Sequence, residues 1–256
     1  MSGGLRLAVG TLTTIPVGDL GVPDRRTGRD AMLLAPIAAL PLGLLAALVV
    51  AAGTALRLPD AVIGTLVVAA LAVATRGMHL DGLADTVDGF GAGWTRERAL
   101  EVMRRGDVGP MGAAALVLTL LCQVAAIDAL LVVRQSWLVV GAAVVVSRTA
   151  CPLLCAKGVP AARPDGLGAV VADTVPAPFV VGWVLAGAGI MTAATHVAGD
   201  SLLRGAVAVL LATMALLWLA RSARRTFGGV TGDVIGGGIE LHWTVLLIGL
   251  TLGVVS

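Results

Sequence analysis

Seven stretches of mostly apolar residues, at 31–53, 59–75, 110–133, 136–156, 176–198, 201–220 and 236–255, constrain this chain more than any other feature. Each approaches the roughly 20 residues that a helix needs to cross the hydrocarbon core of a bilayer. Only a helix or a closed barrel satisfies every peptide group in hydrocarbon, and the ten-residue alternation of barrel strands is absent. The expected fold class is therefore all-α: a polytopic membrane helix bundle of about seven transmembrane helices, forming one domain over residues 1–256. Only 13% of the residues are charged, so water is not the main solvent. With no Tyr, 3 Phe and 34 Gly, the apolar content falls to small side chains that let helices approach closely. Pro36 and Pro41 are expected to kink the first span.

Seven spans place the intervening segments alternately on two sides. One side collects Arg6, Arg25, Arg26, Arg29, Arg76, Arg96, Arg98, Arg104, Arg105, Lys157, Arg163, Arg221, Arg224 and Arg225; the other has Arg57, Arg134 and Arg204. By the positive-inside rule the cation-rich side is cytoplasmic, which predicts a multi-pass protein of the cell (inner) membrane with an outside carboxyl terminus. Nearly all the acids share that side, so the active face is expected there. A net charge of +2 and the lack of a long basic run argue against nucleic acid as a partner, and leave membrane lipid as the surrounding medium. Nothing in the pattern opposes a homo-oligomer. Residues 1–17 read as an interfacial segment and not a signal peptide. Cys122, Cys151 and Cys155 lie in apolar stretches, where they serve as small packing residues and form no disulfide framework.

The most informative segment is His79-Leu80-Asp81-Gly82-Leu83-Ala84-Asp85-Thr86-Val87-Asp88-Gly89, between the second and third spans. Asp81, Asp85 and Asp88 are spaced i, i+4, i+7, which on a helix places them within a sector of about 60°. Three converging carboxylates repel, so a cation between them is expected, and oxygen ligands of this kind suit Mg²⁺. The alternative is a solvated acidic helix face. Residues 95–105 read as a short surface helix capped by Thr95, with Arg104 and Arg105 at its end either clamping a pyrophosphate or anchoring to lipid headgroups.

Two further segments share the cytoplasmic side. Gly228–Leu241 is glycine-rich and opens the seventh span, where free N–H groups could cradle phosphate and Asp233 could add a contact. Arg163-Pro164-Asp165-Gly166-Leu167-Gly168 is by itself a turn signal. Two ionisable residues, Asp128 and Arg148, fall within spans, where charge is expensive. Arg148 lies about 9 residues, or ~14 Å, from the cytoplasmic end of its span and is expected to reach a cytoplasmic cavity and meet a phosphate. Asp128 lies nearer the outer surface, and His196 and His242 read as interfacial side chains.

The segment from His79 to Gly89 resembles the signature of the cobalamin synthase family, the adenosylcobinamide-GDP ribazoletransferases. Leu12-Thr13-Thr14-Ile15-Pro16-Val17 is similar to that family's Leu-Thr-Arg-Ile-Pro-Val pattern, with Thr13 where Arg is usual. Ala162–Gly168 and Gly229–Val234 are similar to its later motifs in the same order. Met103-Arg104-Arg105-Gly106-Asp107-Val108-Gly109 departs from its Met-Arg-Asp-Ser-Arg/Lys-Ile-Gly pattern by exchanging acid and base at positions 105 and 107, which makes Arg104 the safer correspondence. The resemblance implies that adenosylcobinamide-GDP is joined to α-ribazole, or its 5′-phosphate, with release of GMP and with Mg²⁺. Asp81 and Asp85 would hold the metal, Asp88 would be a further ligand or base, and Arg104, Arg148, Arg163, Asp165 and Asp233 would contact substrate. Two rivals remain at this level: a CDP-alcohol phosphotransferase, whose signature differs after Asp-Gly, and a corrinoid transporter or binding protein.

Overall fold

The computed structural model describes residues 2–93, 95–199 and 201–253. Among these residues the chain is helical with no β-strand: α1 (Gly3–Leu12), α2 (Arg25–Ala38), α3 (Leu40–Ala55), α4 (Asp60–Ala74), α5 (Met78–Gly91), α6 (Arg96–Val102), α7 (Pro110–Leu130), α8 (Ser136–Ser147), α9 (Ala150–Leu154), α10 (Gly166–Val171), α11 (Ala177–Val197), α12 (Leu202–Thr226) and α13 (Gly232–Leu250). Six helices, counting α2–α3 and α8–α9 as one each, are long and apolar enough to cross a membrane; the pair α4–α5 makes a seventh if counted as one bent span. The all-α polytopic bundle is the architecture the apolar windows predict.

Local chemistry explains the breaks. Ala39 ends α2 and begins α3, between Pro36 and Pro41, where the missing N–H of each proline loosens the helical ladder. The pair α4–α5 turns by 91° across Thr75–Gly77, where Arg76 and Gly77 take positive φ values of 55° and 68°. Glycine accepts that backbone readily, and Arg76 bears its cost. The second apolar window thus ends in a corner, and α5 runs across the bundle at its cation-rich end, outside the spanning segments.

Helix α13 is the axis. It packs against α5, α7, α8 and α12, and 78% of its apolar window is buried. Its glycines permit this: a Cβ on Gly249 would stand 2.8 Å from the Cα of Ala208 in α12, and one on Gly237 would stand 3.1 Å from the carbonyl oxygen of Gly82 in α5. Gly43 and Gly141 likewise face each other across α3 and α8, each backbone oxygen within 2.8 Å of the other's missing Cβ. Close helix contact through small residues, as the composition predicts, supplies the van der Waals packing that lipid does not.

The amino-terminal segment differs from expectation. Residues 3–12 form a helix whose Leu7, Ala8, Val9 and Leu12 are buried against α2 and its neighbours, so it is part of the packed bundle and not merely interfacial. One isolated bridge, between Ala161 and Val230, ties the loops at the same end through two hydrogen bonds: Ala162 N–H donates to Val230 O and Val230 N–H donates to Pro160 O, both at 2.9 Å. These two bonds bring the 160–165 loop to the start of α13.

Candidate functional site

Helices α5 and α13 cross at Gly82, where an added Cβ would lie 2.6 Å from the carbonyl oxygen of Asp233. The contact falls in the first turn of α13, and Asp85 stands about one turn further along α5. Thr231 caps α13: its Oγ1 accepts from Val234 N–H at 3.2 Å and donates to Asp233 Oδ2 at 3.1 Å. Arg163, delivered by the bridged loop, donates to the same Asp233 oxygen at 2.9 Å. The glycine-rich segment is therefore mostly helix, with Thr231 as its cap and Asp233 in its first turn, rather than an open cradle.

Asp81 is exposed and Asp85 buried. Burial pushes the Asp85 carboxyl up to about 6, helped by repulsion from Asp81, Asp233 and Asp88 and opposed by Arg163. Asp88 has backbone partners of its own. Its two oxygens accept the N–H groups of Gly109 (2.7 Å) and Gly112 (2.8 Å), satisfying backbone donors at the start of α7 that lack helical partners. Among the described residues no three His, Cys, Asp or Glu side chains converge closely enough to hold a metal ion. Asp81, Asp233 and Asp88 all lie near enough to repel Asp85, and of these Asp88 is also engaged in joining α5 to α7.

Two cavities meet at Leu167, Gly232 and Asp233. One, of about 280 Å³, lies between the 163–168 turn and the start of α13 and is lined by Arg163, Asp165, Thr231 and Asp233. The other, of about 250 Å³, extends past Asp81 toward Met32, His79 and Ile239. Arg104 reaches this mouth from beyond α6: it pairs with Asp165 at 3.4 Å, both side chains more than half exposed, so the pair adds little stability and both groups stay available. Thr95 caps α6 as predicted, accepting from Arg98 N–H. Arg105 turns back to Glu101 at 2.9 Å.

Arg148 lies elsewhere. It is 2% exposed, and its Nη1 donates to Val144 O (2.9 Å) and Ser147 Oγ (2.8 Å). As the residue that ends α8 before the short α9, it folds back over the open carbonyls of its own helix. The expected phosphate contact is corrected: Arg148 sits inside the bundle, in the electrostatic field of Glu240, His79 and His242. Glu240 is the intramembrane charge the sequence reading passed over, although it falls within the 236–255 window. It accepts from Gln123 at 2.8 Å. His242, expected at the interface, is fully buried. Arg148→Met is expected to lower stability by about 3 kcal/mol, because Glu240 would lose its nearby counter-charge. Adding Glu240→Gln should restore most of that loss in thermal unfolding of the purified protein. A phosphate-binding Arg148 would instead raise KM with the melting temperature unchanged.

Other arginines prove structural in ways no motif signalled. Arg25 donates to Ala169 O and Ala172 O, both at 2.8 Å, tying α2 to α10. Arg96 donates to Ala162 O at 2.8 Å and holds the same loop that carries Arg163.

A membrane-embedded helix bundle with carboxylates and arginines gathered around paired cavities at one end defines a polytopic membrane protein with a charged cleft. Comparison with known proteins supplies the family. The chain belongs to the cobalamin-5-phosphate synthase family, whose model matches residues 4–251. A relative from a Nocardioides species named adenosylcobinamide-GDP ribazoletransferase is 46% identical over 243 residues, covering 95% of this chain and 96% of that one. Proteins of the same name from Frankia casuarinae, at 39% identity over 96% of this chain and 94% of their own, and Bradyrhizobium diazoefficiens, at 36% over 95% and 91%, are also similar. No solved structure matches.

Proposed function

We propose that this chain joins adenosylcobinamide-GDP to α-ribazole, or to its 5′-phosphate, at the cytoplasmic face of the cell membrane, releasing GMP in a Mg²⁺-dependent reaction. The observation that carries this reading is the meeting of two cavities at Asp233, with Asp81 in the wall of one and Asp85 close enough to both to feel their charge, in a chain whose relatives over nearly its whole length bear the transferase name. In the reaction a free ribose hydroxyl of the acceptor, not the 5′-oxygen that carries phosphate in the 5′-phosphate form, bonds to the phosphorus on the cobinamide side, the bridging P–O bond breaks toward GMP, and the hydroxyl proton is lost. Asp81 and Asp85 fit a Mg²⁺ ion, which takes one or two carboxylates and fills its remaining positions with water and phosphate oxygens. Burial first, and then repulsion from Asp81, Asp233 and Asp88, raises the Asp85 carboxyl, and a cation held there would offset the repulsive part. When bound there, Mg²⁺ would neutralise the pyrophosphate and the departing phosphate. Arg163, half-buried and fixed by Asp233, offers its other N–H groups to the polar cavity, and Arg104 with Asp165 frames the opening. Asp88 holds α5 against α7 and so fixes the orientation of the other two carboxylates.

The reading is tested by giving the purified protein, in lipid, adenosylcobinamide-GDP, α-ribazole and a Mg²⁺ titration. GMP and corrinoid product should appear together and disappear with chelator; flux of corrinoid across vesicles without GMP would overturn the proposal. The face is tested separately. Tags near Arg25, Arg98, Lys157 and Arg225 should report the cytoplasm and a tag after Ser256 the outside, and opposite locations for Arg98 and Arg225 would end the single-face arrangement.

A further inference from the structure

Away from the charged cleft, a groove of about 320 Å³ opens on the flank of the bundle where α9, α11 and α12 meet. Its walls include Val181 and Leu185 of α11, Leu217 and Ala220 of α12, and Ala156 and Val159 after α9, with Thr213 as its one polar residue. Val181 and Leu185 are more than half exposed, and only 17% of the apolar window of α11 is buried, so this flank faces hydrocarbon. The groove lies at the cation-rich end of the spans, near the start of α11 and the last turns of α12, and from Thr213 to Ala220 it runs about 10 Å along α12. Charge gathers at its rim. Thr213, Leu217 and Ala220 follow an i, i+4, i+7 stripe, and the next place on that stripe, one turn beyond the groove, is Arg224; Arg221 stands beside Ala220. Lys157 directly follows Ala156. All three cations are exposed, and among the described residues none of them makes a side-chain hydrogen bond or an ion pair. Asp173 accepts instead from Gly158 N–H at 2.6 Å.

We propose that this groove binds an anionic phospholipid of the leaflet on that side, with an acyl chain between α11 and α12 and the phosphate held among Lys157, Arg221 and Arg224. Cations clustered between spanning helices at headgroup level select anionic lipid, because a zwitterionic headgroup carries its own cation and returns less of the attraction. The same charges argue against a second copy of this chain as the occupant. A two-fold contact centred on the groove would set the cations of one copy against the same cations of the other. The lipid also touches a segment that matters elsewhere. Lys157 N–H donates to Val175 O at 2.8 Å, Val159 lies in the groove wall, and four residues further on Arg163 reaches Asp233. A headgroup seated on Lys157 therefore steadies the near end of the segment that carries Arg163.

The test places the full chain in phosphatidylcholine nanodiscs doped with a lipid that carries a photoreactive diazirine on its acyl chain, either phosphatidylglycerol or phosphatidylcholine at equal mole fraction. Cross-links are mapped by mass spectrometry and scaled to the exposed face of α7 at Val117, Leu118 and Leu121, which samples bulk lipid. Residues 180–185 and 213–220 should be labelled by the phosphatidylglycerol probe about tenfold more than by the phosphatidylcholine probe, the size of effect that a few cations near the surface produce. Raising salt from about 0.05 M to about 0.5 M should shrink that ratio several-fold in the wild-type protein, because the headgroup contact is screened. Lys157→Gln combined with Arg221→Gln and Arg224→Gln, all at exposed positions, should bring the ratio close to one with the α7 labelling and the melting temperature unchanged. Equal groove labelling by the two probes, a ratio indifferent to salt and to the triple substitution, or no enrichment over α7 would each overturn the lipid site. A groove protected from both probes in a protein that runs as a dimer would give the flank to a second copy and overturn it as well.

Discussion

Asp81→Asn and Asp85→Asn are each expected to slow GMP release by about 10³-fold or more, with the protein still folded and inserted. Asparagine keeps the volume and a hydrogen-bonding oxygen but removes the charge that would hold a divalent cation, and about 4 kcal/mol of transition-state stabilisation corresponds to that factor. Stability should move the other way. The Asp85 carboxyl is raised to about 6 from an ordinary value of 3.8, so the folded state holds its proton more tightly than the unfolded chain does. In metal-free buffer its ionisation therefore costs stability as pH rises from about 4 to about 6, and the full cost persists above that window. Asp85→Asn should melt higher than the parent at pH 8, with the advantage gone near pH 4. Asp88→Asn should behave differently: it weakens the cap on α7, so it should lower the melting temperature at pH 8. Near-normal turnover in Asp81→Asn and Asp85→Asn would remove the carboxylate pair from the mechanism.

Gly82→Ala should be nearly as damaging from a position that touches no substrate. Its new methyl would sit 2.6 Å from the carbonyl oxygen of Asp233 and 3.1 Å from its Cα, and backbone cannot swing aside as a side-chain tip can. Helix α5 would be pushed off α13 by several tenths of an ångström or more, separating the carboxylates of α5 from Asp233, which lines both cavities. Misplacement on that scale costs about 10²-fold in rate. The expected signature is a fall in kcat with a modest loss of melting temperature; Gly236→Ala, where the contact is an ordinary 3.4 Å, should leave kcat close to the parent. Unchanged kcat in Gly82→Ala would mean that the α5–α13 spacing does not set the site.

What the sequence revealed followed the physics that acts locally. Apolar length announces spans, Pro36 and Pro41 announce the break at Ala39, and Thr95 announces the start of α6, because each depends on neighbours a few residues away. The helical phase of Asp81, Asp85 and Asp88 was legible for the same reason, since all three lie on one helix. Their partners were not. That Asp88 caps α7 depends on Gly109 and Gly112 arriving from another helix, and no periodicity within α5 records it. Arg148 misled for a related reason: its depth along the span was readable, but the direction of its side chain depends on the break before α9 and on Glu240 across the bundle. Apolar windows also conceal single charges, and Glu240 went unnoticed in one. Arg163 and Asp233 were both picked out as motif members, yet their 2.9 Å pairing required the hydrogen bonds from Ala162 to Val230 and from Val230 to Pro160.

The corner at Arg76 and Gly77 has a consequence for the membrane itself. Helix α4 contains 15 residues and so rises only about 22 Å, against a hydrocarbon thickness of roughly 30 Å. On that flank the chain turns sideways before the acyl region ends, and hydrophobic mismatch of this kind is relieved by thinning the adjacent leaflet. Water and headgroups then dip toward α5, and Asp81, the exposed carboxylate that follows the corner, is wetted without α4 lengthening to reach the aqueous phase. The bilayer next to this helix becomes part of the vestibule, and its thickness becomes a variable of the reaction.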